Sequence, residues 1–204
     1  MKRGPLLDGL ILGGVAALVA VLLAGVNALT AERIAANRQA EHLRQLQEIM
    51  PGDSATGWQE PLVLDGKAAL RQLDTREPVR VYRMRGAEEV TGVVFSLTTH
   101  DGYNGDIDLL IGIHRSGAIS AVRVTDHRET PGLGDGIEAD KSNWIRQFRG
   151  RSLGDPPSAE WAVEPRGGEF SHLTGATITS SAVLTAIRRT LGYFQAHREG
   201  LLSP

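Results

Sequence analysis

From Gly9 to Leu29 the chain reads GLILGGVAALVAVLLAGVNAL, with no charged side chain and one strongly polar one, Asn27. As a helix, that run is long enough to cross a hydrocarbon core about 30 Å thick, and only helices and closed barrels leave no backbone group unsatisfied there. The run predicts a transmembrane helix over residues 9–29. The alternative is a cleaved signal peptide, with Ala28-Leu29-Thr30-Ala31 as a small-residue cleavage site, although the run is longer than an ordinary signal core. Lys2 and Arg3 precede it, and Glu32 and Arg33 follow it. The short basic end is therefore expected to stay in the cytoplasm and the remainder to be exported.

At 204 residues the chain has room for that span and one globular domain, hence one site. Its 22 Lys and Arg are interspersed with 24 Asp and Glu, which leaves no basic footprint for nucleic acid, and none is expected as a partner. Cysteine is absent, which removes disulfides, cysteine-ligated zinc, iron–sulfur clusters and thiol catalysis. Any redox chemistry then needs a cofactor held by another group. Histidines are dispersed without paired ligand spacing, so His127 and His172 read as polar loop residues and no metal is expected.

Residues 31–50 are rich in helix formers, with Ile34, Leu43, Leu46 and Ile49 on one face and Pro51-Gly52 as the stop. Residues 52–77 are polar and broken by Gly and Pro, apart from Leu62-Val63-Leu64 and a helical turn at Lys67–Leu73. Between Val79 and Asp126 the texture turns to β. Stretches 79–84, 90–98, 107–113 and 118–125 are rich in Val and Ile, with turns at 101–105 and 115–117, and they predict an antiparallel meander. A helix is expected from about Ile137 to Phe148, with Trp144 in the core, then a short strand at Trp161–Val163. A last helix is expected from about Ser180 to His197, carrying Val183, Ile187, Leu191 and Phe194 on one stripe. The whole predicts an α+β fold, an antiparallel sheet with packed helices behind an N-terminal transmembrane helix. The division is residues 1–8, 9–29, 30–77 and 78–204.

Leu173-Thr174-Gly175-Ala176-Thr177-Ile178-Thr179-Ser180-Ser181 is a run of hydroxyl and small residues leading into that last helix. Its plainest role is an N-cap, with Thr179 or Ser180 accepting from the first free N–H groups. The same place suits an anion, because unpaired N–H groups and the helix dipole favour negative charge by about 0.3–1 kcal/mol when exposed. Upstream, Pro131-Gly132-Leu133-Gly134 predicts a tight turn after a strand, with Leu133 projecting, and such a turn can wall a flat ring.

The segment Thr174-Gly175-Ala176-Thr177, followed by x-Thr, resembles the attachment motif of FMN-binding domains. Such domains occur in the G subunit of Rnf/Rsx electron transport complexes and in the C subunit of the sodium-pumping NADH:quinone oxidoreductase. HxETPGLG, here His127 to Gly134, is similar to that family's second fingerprint, and Gly102-Tyr103-Asn104-Gly105 with Leu109–Ile113 matches its strand pair. The resemblance covers the anchor and residues 79–198. It implies FMN joined through its phosphate to the hydroxyl of Thr177 by a flavin transferase. Leu173, Thr174, Gly175, Ala176, Thr179, Glu129, Thr130, Leu133 and Gly134 are the further residues expected to bind the cofactor, and the loop at 130–134 is expected to line the ring because the helix N-terminus already serves the anion. It further implies an electron carrier, without turnover of its own, among other subunits of a complex in the bacterial inner membrane, its domain periplasmic. Ser171 stands where the motif is usually acidic. Two alternatives remain at this point: the C subunit, which is longer than this chain, and a non-redox scaffold whose loop is only a helix cap.

Overall fold

The computed structural model describes residues 9, 12–25, 30, 44–51 and 57–203. It divides into two compact units, one ending at Gln45 and the other beginning at Leu46. In the first, residues 12–25 are helical and their leucines and valines are exposed. Among the described residues no helix is long and apolar enough to cross a membrane. Residues 10, 11 and 26–29 of the expected span, and 31–43 of the expected juxtamembrane helix, lie outside the described residues.

The second unit is α+β. Its strands are β1 (Gly57–Trp58), β2 (Leu62–Leu64), β3 (Val79–Arg85), β4 (Val90–Gly102), β5 (Gly105–His114) and β6 (Ile119–His127). They form one antiparallel sheet in the order β1-β3-β4-β5-β6, with β2 sharing the β3 edge used by β1. The helices are α1 (Lys67–Leu73), α2 (Thr177–Ala196) and α3 (Arg198–Leu201).

Both faces of the central strands are covered, which is why β4 and β5 read as continuous apolar runs rather than alternating ones. Val93, Phe95, Leu109 and Ile111 pack with Val183, Ile187, Leu191 and Phe194 of α2 in the main core. Val94 and Leu110 point the other way, into a smaller core with Leu46, Ile49 and Met50. Two strand glycines let that segment lie flat on the sheet. A Cβ on Gly92 would come within 2.6 Å of Met50, and one on Gly112 within 2.4 Å of Ile49. Ser120 donates its hydroxyl to the Ile49 carbonyl at 2.8 Å, which fixes the segment's position along the sheet. Each of the large apolar side chains of α2 contributes about 1.5–3 kcal/mol on burial, and this packing, more than intrinsic propensity, sustains the helix.

Three expected elements differ. The helix from Ile137 to Phe148 is instead two 3-10 turns, Gly134–Ile137 and Trp144–Phe148. Between them Ser142 donates its hydroxyl to the Gly136 carbonyl at 2.5 Å and accepts from the Trp144 N–H at 3.0 Å, so a side chain takes over backbone bonding that a helix would need. Trp144, Ile145 and Phe148 are buried all the same. At 161–163 only Val163 forms a bridge, with Phe170, after a 3-10 turn at Ser158–Glu160. Finally, α2 begins at Thr177, three residues ahead of Ser180, which puts the hydroxyl run inside its first turn.

Candidate functional site

The turn between β4 and β5, the chain after β6 and the start of α2 meet at one end of the sheet. They enclose a cleft of about 410 Å³ lined by Tyr103, Glu129, Thr130, Leu133, Gly134 and residues 175–179. The turn after β6 is held by the Thr130 carbonyl, which accepts from the N–H groups of Leu133, Gly134 and Asp135 at 3.1, 3.0 and 3.4 Å. Gly132 sits at φ +77° within it, a conformation that a side chain would resist. Leu133, 48% exposed, lines the cleft opposite Gly175 (φ +81°), on which a Cβ would lie 3.1 Å from Leu133 Cδ2.

Glu129 joins the three segments. Its side chain is 5% exposed. One carboxylate oxygen accepts from the Asn104 N–H at 3.1 Å, the other from the Thr179 hydroxyl at 2.6 Å. Asn104 also donates from its side chain to the Thr130 hydroxyl at 3.1 Å. Gly102 and Gly134 press against the carboxylate, since a Cβ on either would meet one of its oxygens at 2.8 and 2.9 Å.

The start of α2 has no side-chain cap. Ser180 makes the first intrahelical bond, to the Ala176 carbonyl at 3.0 Å, so the N–H groups of Thr177, Ile178 and Thr179 precede the ladder. The two expected caps are used otherwise: Thr179 serves Glu129, and the Ser180 hydroxyl donates to the Ala176 carbonyl while accepting from the Leu173 N–H, both at 3.0 Å. This leaves an open, positively polarised helix end at the cleft.

Behind the loop lies a charged network. His127 Nε2 bonds Glu138 at 2.7 Å, and Lys141 bridges Glu138 at 2.7 Å and Asp135 at 3.0 Å. The Lys141 ammonium holds the carboxyls of Asp135 and Glu138 below their ordinary range, His127 adding to the effect on Glu138, and both carboxylates push Lys141 up. Glu129 donates its backbone N–H to His127 Nδ1 at 3.0 Å, which puts the ring proton on Nε2, toward Glu138.

Of the ten residues expected at the site, eight border the cleft: Glu129, Thr130, Leu133, Gly134, Gly175, Ala176, Thr177 and Thr179. Thr174 is exposed and lies off the lining. Leu173 packs against the core, where a Cβ on Gly136 would meet it at 2.9 Å. Tyr103 and Ile178, outside those ten, are 66% and 49% exposed on the cleft. Ile178 had a signal, since it is a large apolar residue on the first turn of α2 that stands off the Val183-Ile187-Leu191 stripe. Tyr103 had a weaker one, as an aromatic in a two-residue turn.

The family model described as FMN-binding domain matches residues 102–192, which contain the whole cleft. The model described as RnfG N-terminal region matches residues 1–49. The chain is 41% identical over its full length to the G subunit of the ion-translocating oxidoreductase complex of Pseudomonas aeruginosa strain UCBPP-PA14, covering 94% of that protein. The chain belongs to this G-subunit family. Identity to the corresponding G subunit of Shewanella loihica is 37% and to that of Cereibacter sphaeroides strain ATCC 17023 is 40%, each over all of this chain and over 95% and 90% of the relative.

The cleft of this G-subunit family member suits FMN on its own geometry. Three N–H groups ahead of the α2 ladder match a phosphate, and Leu133, Ile178 and Tyr103 leave apolar surface exposed where a flat ring would cover it. Those three make up most of the large apolar side chains left exposed among the described residues from 57 onward, the others being Leu62 and Val63. Thr177 is half-buried at the boundary between these two parts.

Proposed function

We propose that the chain carries FMN as a phosphoester on Thr177 and relays electrons within an ion-translocating oxidoreductase complex. One observation supports this above the rest: two fingerprint segments, joined by the Glu129–Thr179 bond, line one cleft with Thr177 on its rim. FMN, when bound, supplies reversible electron uptake. The chain supplies everything else. The Thr177 hydroxyl would provide the attachment, and the N–H groups of residues 177–179 would hold the phosphate. Leu133, Ile178 and Tyr103 would shield the ring from water, and the cofactor would exchange electrons through the open side of the cleft. A phosphoester keeps the cofactor in so shallow a site.

The full-length relatives are named as subunits of a complex, which supports other subunits as partners of this chain. A flavin transferase is the partner in maturation. Residues 9–29 are proposed as the anchor in the bacterial inner membrane, 1–8 as its cytoplasmic end, 30–77 as the connection and 78–204 as the periplasmic FMN-binding domain. The deciding experiment is peptide mass spectrometry on protein coexpressed with an active transferase. Flavin on the Thr177 peptide is the expected result; unmodified protein overturns the proposal.

A further inference from the structure

Glu129 is the one charged side chain lining the cleft among the described residues, and it also lines a second cavity of about 370 Å³. That cavity is bordered by Asp126, His127, Asp135, Glu138 and Lys141. Glu129 thus stands between a cleft with no other charged lining residue among the described residues and a cavity lined by several. Its negative sign is unexpected, because the cleft is proposed to take a phosphate and to gain electrons. Among the described residues no ion pair offsets it, Lys141 being bonded to Asp135 and Glu138. Each carboxylate oxygen accepts a single hydrogen bond and keeps a further acceptor site.

We propose that Glu129 couples electron uptake in the cleft to proton uptake from the second cavity. This rests on FMN occupying the cleft. A buried carboxylate beside a group that gains negative charge opposes that gain, and less so once protonated. Coupling is reciprocal, so the added electron raises the carboxylate's affinity for a proton by the same free energy. In the balanced step, a one-electron donor protein reduces the flavin by one electron. A hydronium ion in the second cavity loses a proton, its O–H bond breaking as one forms on Glu129. Site charge is conserved, and oxidation reverses both transfers.

The other titratable or charged groups around Glu129 are Asp126, His127 and Arg128 on its own segment, Asp135, Glu138 and Lys141 across the second cavity, and Tyr103 across the cleft. From α2 the Thr179 hydroxyl bonds it, and the α2 residues on the cleft are uncharged. His127 Nδ1 accepts the Glu129 N–H and its Nε2 bonds Glu138.

The test uses the full chain, flavinylated in the cell, with Glu129→Gln beside the natural sequence. In a spectroelectrochemical titration across pH, E129Q should have the higher midpoint, by about tenfold in the one-electron equilibrium or about 59 mV, and the shallower pH slope. Protonation of the flavin itself enters both slopes, so their difference isolates Glu129. The reduced-minus-oxidised infrared spectrum of the natural protein should show a protonated carboxyl band that shifts on labelling glutamate with carbon-13. Equal midpoints and slopes, or the absence of that band, overturn the inference. Should E129Q lose its flavin, the band in the natural protein decides alone. Flavinylated protein with an unaltered E129Q potential removes only this inference, whereas natural protein that takes no flavin removes the underlying function as well.

Discussion

The Thr179 hydroxyl donates to Glu129 at 2.6 Å, and this bond ties the first turn of α2 to a loop fifty residues earlier in the chain. Both side chains are buried. Removing the hydroxyl in Thr179→Val keeps the shape but strands a carboxylate oxygen, which costs about 1–3 kcal/mol. Thr179→Ser keeps the donor and should cost far less. Denaturant unfolding of the two variants checks this. Equal stability of T179V and the natural protein would show that the bond contributes nothing.

The network behind the loop gives the fold a pH dependence whose sign is fixed. Asp135 and Glu138 titrate below their ordinary 3.8 and 4.5 because Lys141 bonds both. A depressed carboxyl stabilises the fold above its unfolded value and loses that contribution as pH falls through the folded one. Stability should therefore decline from just above 4.5 downward. Lys141 is raised, so its contribution holds below 10.5 and fades only at higher pH. Thermal melts of Lys141→Met should show a flatter acid limb than the natural protein. An unchanged limb would mean that solvent screens these half-exposed pairs completely.

Leu133 and Gly175 face each other across the cleft, and the two positions should fail differently. Leu133→Ala removes a wall without altering backbone, so flavin should remain attached while its spectrum shifts toward that of a solvated ring. Gly175→Ala meets both a left-handed φ of +81° and the Leu133 methyl at 3.1 Å, and should lose about 1–2 kcal/mol of stability along with most of its labelling. Flavin lost from L133A at full stability would assign the phosphate, not the ring, to the 130–134 loop.

Strand content was legible because Val- and Ile-rich stretches such as 107–113 are buried on both faces, leaving one structure that satisfies them. The candidate cleft was legible for another reason: Gly132 and Gly175 mark backbone that only glycine adopts readily, and both fall in the fingerprint segments. Tertiary bonding was not legible. Nothing local says that Thr179 turns to Glu129 instead of capping α2, or that Ser142 breaks a helix by bonding Gly136. Nor does anything local say that Leu173, beside Thr174, packs where the missing side chain of Gly136 opens a place for it in the core.

The proposed topology follows from Lys2 and Arg3 ahead of an uncharged run. Protease added to spheroplasts should degrade the domain, and N-terminal sequencing of the membrane fraction should find a start ahead of Gly9. A protected domain, or a mature chain starting near Thr30, would refute an uncleaved anchor with an exported domain.

Thr177 should be the sole flavin acceptor because its neighbours are committed elsewhere. Thr179 and Ser180 are buried, their hydroxyls donating to Glu129 and to the Ala176 carbonyl, and Thr174 is exposed off the cleft lining. Thr177 is half-buried on the cleft, at the N-terminus of a helix that offers its first N–H groups to an anion. Thr177→Ala, coexpressed with the transferase, should fold normally yet lose the flavin mass and the fluorescence that survives denaturation. Thr177→Ser retains an acceptor oxygen and should keep part of both. Ser171 now bonds Gln147 through its hydroxyl at 2.9 Å, outside the cleft. Ser171→Asp, which restores the acidic residue of the motif, should raise labelling without moving it. Flavin found on Thr174 or Thr179, or persisting in T177A, would show that burial and hydrogen bonding do not choose the acceptor.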